Sequence, residues 1–333
     1  MRIGPSSLHG LPRDSGYVSR RALGHYKLRE LVAVGLVALA ALGLLVAAAG
    51  LLAGLGNGLP QGIRLAVLSG AGVTGACMLY ALLIEPSRLT VRRVDLTSPK
   101  ARGEGLRILH LSDPHVRRWG RLEEAVVAAA RALKPDLILM TGDYTAVPCK
   151  PEDGRRLIAE LAGVAPTLCC RGNGDYRPPP VDALFEGTGA ELLRGASREL
   201  TVGSTRVRVT GIEPGHEAEV RGIPEAGPDV FSVCLYHYPD LVPELAALPL
   251  DLMLCGHTHG GQVRLPLLGA VTSLSRVDTA FCRGLFASAG RHAFVTQGLG
   301  SESYGLAPLR FLCPPEAVLI TVRPPGAEKQ ELC

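Results

Sequence analysis

The stretch Leu106–His115, LRILHLSDPH, sets a largely apolar run directly against a loop that carries an aspartate and a histidine. A short apolar run closed by polar residues and proline reads as a buried strand passing into a loop. The same pattern returns in DLILMTGDY (Asp136–Tyr144), PTLCCRGNGDY (Pro166–Tyr176), VFSVCLYHYP (Val230–Pro239) and DLMLCGHTHGGQ (Asp251–Gln262). TRVRVTGIE (Thr205–Glu213) and HAFVTQGLG (His292–Gly300) are further strand-like runs. Between the early strands lie two helical patterns, LEEAVVAAARALK (Leu122–Lys134), stopped by Pro135, and PEDGRRLIAELAG (Pro151–Gly163). Strands alternating with helices predict a layered α/β domain over 105–325. In α/β sheets ligands gather beyond the carboxyl ends of the strands. Five such ends here deliver Asp113 and His115, Asp143, Asn173, His237, and the pair His257 and His259.

Upstream the composition changes. Leu31–Leu55 is 25 residues without a charge and Leu65–Ile84 another 20. Each is long enough to cross about 30 Å of hydrocarbon as a helix, so 31–84 is expected to form a transmembrane hairpin of two helices. Residues 1–30 hold six Lys/Arg against Asp14 and Glu30, and Arg88, Arg92, Arg93, Lys100 and Arg102 follow the second span, while the hairpin loop holds only Arg64. The positive-inside rule then places both ends, and the large domain, on the cytoplasmic side of the inner membrane. SRRALG (Ser19–Gly24) is a twin-arginine pattern, and export is the alternative it raises. Residues 85–104 read as a juxtamembrane strand or linker and 326–333 as a tail.

The first 104 residues carry twelve Lys/Arg against five Asp/Glu, so the rest of this +4 chain is slightly acidic. No basic footprint for nucleic acid falls on the α/β domain. Nine cysteines, without CxxC spacing, argue against a disulfide framework or a zinc knuckle.

Taken singly, Gly-Asp, Gly-Asn and an isolated histidine are ordinary turn or core chemistry. Two imidazoles at i and i+2 in the glycine-flanked GHTHGG have fewer structural uses. The ordered set SDPH, TGDY, RGNGDY, YHYP and GHTHGGQ, each at a strand end, resembles the motifs of the calcineurin-like metallophosphoesterase family, over about Ser87–Val322. The resemblance implies a four-layer α/β/β/α sandwich. It also implies two divalent metal ions, manganese or iron more than zinc, with zinc left as an alternative, and with Asp113, His115 and His259 on one, Asn173, His237 and His257 on the other, and Asp143 bridging them. Two metals roughly 3.5–4 Å apart can acidify a shared water and clamp a phosphoryl oxygen. Asp143 and Asn173 are the catalytic members of the set.

One position departs from the family pattern. Most members have a histidine after the asparagine to protonate the leaving oxygen, and here Gly174 stands there. A missing acid matters least when the leaving group is a phosphate, whose second pKa is about 6. The glycine therefore points to a diphosphate linkage or an activated ester. Tyr176, His216 and His292 are alternative proton donors, and a backbone needing positive φ is a purely structural reason for the glycine. Some membrane-associated members of the family cleave UDP-2,3-diacylglucosamine in lipid A synthesis, so a lipid-linked diphosphate is the expected substrate. A general phosphodiesterase of small esters and a non-catalytic metal-binding module are the alternatives. The C-terminal GLGSESYGLAPLRFLCPPEAVLITV also matches the membrane-linked subgroup, with Arg310 expected in a structural or substrate-contacting role.

Overall fold

The computed structural model describes residues 28–55, 58–178, 180–273, 275–302 and 308–327. The basic N-terminal segment through residue 27, its twin-arginine pattern and most of the tail lie outside them. Two helices come first, α1 (Leu28–Leu52) and α2 (Gln61–Leu83). Leu44 of α1 reaches over Gly70 of α2, with its Cδ2 3.4 Å from where a Cβ would stand. Among the described residues one helix, Gln61–Ser87, is long and apolar enough to cross a membrane, with a mean hydropathy of 1.9. In α1 the apolar stretch found among the described residues, Ala38–Leu52, is shorter than such a span. Among the described residues one helix of the expected pair thus passes the measure, and the hairpin remains an expectation.

The α/β domain is two mixed sheets face to face. The first has the order β1 (Thr90–Thr97), β14 (Glu316–Arg323), β2 (Leu106–Leu111), β3 (Leu137–Met140), β4 (Thr167–Cys169), β5 (Glu191–Leu192). The second runs β12 (Gly284–Ser288), β13 (Arg291–Val295), β9 (Leu252–Cys255), β8 (Val230–Tyr236), β7 (Thr205–Ile212), β6 (Ala196–Val202). A small hairpin, β10 (Arg264–Leu265) and β11 (Gly269–Ala270), stands apart. The segment 85–104, expected as a juxtamembrane strand or linker, carries β1, which pairs in parallel with β14 at the sheet edge.

The alternation of side chains across each strand builds the layers. Leu106, Ile108, Leu137 and Leu139 face Val207, Val233, Leu252 and Leu254 in the core between the sheets. Leu109, Leu111, Ile138 and Met140 face the other way, onto α3 (Arg121–Leu133) and α4 (Pro151–Ala162). Cys234, Tyr236, Met253 and Cys255 meet α6 (Glu217–Arg221) and the 3-10 segment Pro239–Ala247 on the outer face of the second sheet. Short α5 (Val181–Phe185) joins the first helical layer. Where both faces of a sheet are covered, the central strands β3, β8 and β9 are buried, largely apolar runs rather than alternating ones, while β1 and β6 keep exposed polar residues. Each fully buried leucine contributes about 1.5–3 kcal/mol.

Helix α3 ends where Lys134 turns left-handed ahead of Pro135, and α4 starts with Pro151 in its first turn. In the first sheet β2, β3, β4 and β5 are parallel, and in the second β7, β8, β9 and β13. These parallel runs bring the loops after β2, β3, β4, β8, β9 and β13 to one end of the sandwich.

Candidate metal centre

The loops at that end are laced together by main-chain hydrogen bonds. The amide of Asp113 donates to Gly142 O at 3.0 Å, His115 N to Asp143 O at 3.0 Å, Gly256 N to His237 O at 3.0 Å and Gly300 N to Asp113 O at 2.7 Å. Five of the seven candidate ligands, Asp113, His115, Asp143, His257 and His259, have left-handed backbones with φ between 42° and 69°. Such conformations are uncommon for residues with a side chain, and the surrounding hydrogen bonds are what hold them. Glycines permit the close approach: a Cβ would lie 2.1 Å from Asp143 Oδ1 at Gly172 and 2.2 Å from Asp113 Oδ2 at Gly256.

The side chains converge. Donor atoms of Asp113, His115 and His259 lie within 4.8 Å of one another, as do those of Asp113, Asp143 and His237. His115 Nε2 is 3.2 Å from His259 Nε2 and 3.6 Å from Asp143 Oδ2. His237 Nε2 is 3.1 Å from Asn173 Oδ1 and 3.6 Å from Asp143 Oδ2. The His257 ring lies 5.1 Å from that of His237, centroid to centroid, and its amide donates to Asp113 at 3.0 Å. All seven positions therefore gather at one centre, with Asp143 between its two halves.

The donor set fits a pair of cations. His237 Nδ1 donates to Thr141 O at 2.6 Å, because a carbonyl can only accept. In the neutral ring that leaves the Nε2 lone pair aimed at the oxygens of Asn173, Asp143 and Asp113, an acceptor facing acceptors. Against the desolvation of burial, Asp143 and Asp113 raise the His237 pKa, so the position calls for positive charge, which a proton or a bound cation supplies. His259 is held neutral by burial, reinforced by His115 and Arg310, so its pKa lies well below the ordinary value. Its Nδ1 faces both Gly300 O at 3.2 Å and Arg310 Nη2 at 3.3 Å, and a cation on Nε2 selects the ring form that donates to Gly300. Carboxylate, amide oxygen and imidazole, without thiolate, suit hard or borderline divalent metals.

Comparison with known proteins agrees. The calcineurin-like phosphoesterase family model matches residues 106–261. The chain is 31% identical to phosphodiesterase YaeI of Escherichia coli over 251 residues, 72% of this chain and 91% of that protein. The chain belongs to the calcineurin-like phosphoesterase family. It is a hydrolase of the metallophosphoesterase class, and such enzymes use divalent metals. It is also 28% identical to metallophosphoesterase YkuE of Bacillus subtilis, over 79% of this chain and 96% of the relative. To UDP-2,3-diacylglucosamine pyrophosphatase LpxG of Chlamydia trachomatis it is 24% identical, over 73% of this chain and 92% of the relative.

In this phosphoesterase the asparagine loop is organised by Asp175, which the motif reading passed over. Its carboxylate accepts from the amides of Gly172 at 2.7 Å, Asp143 at 2.8 Å and Tyr144 at 2.9 Å. Burial and then the charge of Asp143 push its pKa up to about 7, and a divalent cation beside Asp143 opposes that shift. Two more groups went unread, Tyr238 and Glu302. Tyr238 packs edge-on to His257 at 4.5 Å. Glu302 brings Oε2 to 3.7 Å from His115 Nε2, and its donor atom lies within 4.8 Å of those of His115 and Asp143. Arg310, expected in a structural or substrate-contacting role, is buried beneath the His259 loop. Tyr238 follows a motif histidine, which is a usable signal; Glu302 lies in a loop whose fold alone brings it in.

None of the three alternative proton donors joins the centre by any contact among the described residues. His216 Nδ1 pairs with Glu219 Oε1 at 2.6 Å on the surface. His292 stands opposite Leu252, at the beginning of β9 and so at the far end of the sheet. Tyr176 lies under the Arg171 guanidinium at 5.3 Å, and burial followed by the Glu213 charge pushes its hydroxyl up to about 12.

Gly174 is absent from the left-handed glycines, so backbone freedom is not its reason. Its amide donates to Asp143 Oδ1 at 2.6 Å, and a Cβ there would stand 3.0 Å from the same oxygen. The glycine lets the Asp143 carboxylate sit directly on the loop amide. Gly174→Ala is therefore expected to displace that carboxylate by a few tenths of an ångström, costing about 1–2 kcal/mol. Chelator titration would read this as a roughly tenfold loss of metal affinity; unchanged affinity would show that the space is not tight.

Proposed function

We propose that the chain is a membrane-anchored, dinuclear phosphodiesterase that cleaves the diphosphate of a lipid-linked nucleotide such as UDP-2,3-diacylglucosamine. The observation that carries the reading is the convergence of seven donor residues on one centre around Asp143. In it Asp113, His115 and His259 hold one cation, Asn173, His237 and His257 the other, and Asp143 both. Two divalent cations there, manganese or iron by the family pattern, supply Lewis acidity toward a water and the phosphoryl oxygens. The chain's own part is to fix the ligands: the Gly174 amide orients Asp143 and the Thr141 carbonyl sets the His237 ring.

Three features support the lipid-linked substrate. With Gly174 in place of an acid, the centre suits a leaving group that is already a stable anion, as a nucleotide phosphate is. LpxG, 24% identical, bears the name of a UDP-2,3-diacylglucosamine pyrophosphatase. The end of α2 is also joined to the centre. Arg310 N donates to Ala81 O at 3.0 Å, Glu85 accepts from the amides of Leu312 and Cys313, and Cys313 Sγ donates to His259 O at 3.1 Å. We place α1 and α2 as the transmembrane hairpin, with the catalytic domain on the cytoplasmic side of the inner membrane. YaeI, named a phosphodiesterase and 31% identical, supports the phosphodiesterase chemistry common to this reading and to the second one, a phosphodiesterase of small soluble esters.

The test uses purified protein with Mn²⁺ and compares UDP-2,3-diacylglucosamine with bis(p-nitrophenyl) phosphate. Release of UMP from the lipid is expected; hydrolysis of the aryl diester alone would select the second reading.

Glu302 extends the His115 side of the centre. Its backbone is clamped by the Gln262 amide, whose Oε1 accepts from Glu302 N at 3.0 Å and whose Nε2 donates to Glu302 O at 2.9 Å. Glu302→Gln is expected to weaken Mn²⁺ binding about tenfold by calorimetry. Unchanged affinity would assign the carboxylate to Arg177, 4.0 Å away, instead.

A further inference from the structure

The hairpin β10–β11 leaves the centre two residues after Gln262, and its tip is Pro266, Leu267 and Leu268. Leu267 is fully exposed and Leu268 is 79% exposed. Tight turns ordinarily use Gly, Asn or Asp, most of all where φ is positive, yet Leu267 has a φ of 66°. Two adjacent leucines held out at such a turn are costly in water and call for an apolar environment.

The base of the hairpin shows which environment is at hand. Arg264 N donates to Phe311 O at 2.9 Å, and Val263 bridges to Phe311. The Phe311 ring in turn meets Tyr80 of α2 edge-on at 6.5 Å. The hairpin is thereby seated at the C-terminal end of the one described helix fit to cross a membrane. Tyr80 is the residue type of the membrane–water interface, and its hydroxyl takes a hydrogen bond from Arg88 at 3.2 Å. Leu83, Ile84 and Leu312 are exposed around the same junction. Cations stand close by: Arg88 at the helix end, Arg264 at the hairpin base, and Arg283 near enough to feel the charge of Arg264. Apolar tip, interfacial tyrosine and arginines together form the pattern of a surface that dips into the headgroup region of an anionic bilayer.

We propose that the Leu267–Leu268 tip is a second membrane contact, inserted into the same bilayer face that α2 leaves. It rests on the reading of α2 as a membrane span. Its consequence is positional: His259 and the tip belong to one short stretch of chain, so the centre is held over the lipid surface. A lipid-linked phosphate could reach it with its acyl chains still in the bilayer.

The test places full-length protein, one chain per nanodisc, in phosphatidylcholine and phosphatidylglycerol with or without brominated acyl chains. The native chain has a single tryptophan, Trp119, as internal reference. Leu268→Trp is expected to emit at shorter wavelength and to lose at least half of its added fluorescence to the brominated lipid. Leu79→Trp, at an exposed site on α2, reports separately on the span. Quenching at 79 without quenching at 268 overturns the hairpin proposal and leaves the span intact. Quenching at neither site overturns both. A blue shift at 268 that grows with protein concentration in detergent, without quenching by lipid, assigns the tip to a second copy of the chain and also overturns the proposal.

Discussion

Asp143→Asn is expected to lower phosphoester hydrolysis by at least about a thousandfold. The exchange is nearly isosteric, so the loss would come from charge and lone pairs. Oδ2 lies 3.6 Å from both His115 Nε2 and His237 Nε2, and Oδ1 holds the Gly174 amide. An amide cannot replace the carboxylate on both sides: with its oxygen on the Gly174 N–H, its NH₂ takes the side facing the two imidazoles and has no lone pair to offer a cation there. It also removes the negative charge common to both halves of the centre. Metal content by elemental analysis should fall from two ions per chain, with the circular dichroism of the fold unchanged. Retention of more than a tenth of the activity would reject a bridging role.

Arg310→Ala should produce the largest structural loss. The guanidinium is fully buried and donates from Nε to Gly300 O at 3.0 Å, from Nη1 to Cys313 O at 2.9 Å and from Nη2 to Gln297 O at 2.9 Å. Removing it strands three buried carbonyls from two separate stretches of chain, for about 3–5 kcal/mol. That corresponds to a melting midpoint lower by about 10 °C in a domain of this size. Arg310→Lys should recover only part, because a point-like ammonium cannot span three acceptors. Since the same side chain lies 3.3 Å from His259 Nδ1, metal affinity should fall along with stability. A melting point within a few degrees of the parent would mean that water replaces the guanidinium.

The candidate metal-site residues were legible because each lies at a junction that local sequence marks. An apolar run must end somewhere, and SDPH, TGDY, RGNGDY, YHYP and GHTHGGQ mark where. The parallel strands then carry those ends to the same side of the sandwich. The long uncharged segments were likewise visible, since hydrocarbon length and charge are local quantities. For Gly174 the structural alternative of a positive-φ backbone does not hold; its packing role depends on an oxygen contributed by a loop 31 residues earlier.

The sequence alone determined that buried strands end in carboxylate, amide and imidazole donors, and that a hydrophobic segment precedes them. Those features follow from periodicity and residue chemistry over a few neighbours. Only the tertiary structure decided that five of the ligands sit in left-handed backbone, that Asp175 ties three amides beneath them, and that Glu302 and Arg310 enter from a loop beyond β13. Only it joined Glu85 at the end of α2 to the amides of Leu312 and Cys313. These are contacts between residues far apart in the chain. No local pattern encodes them, because they exist only once both sheets have packed and their loops have been drawn to one edge.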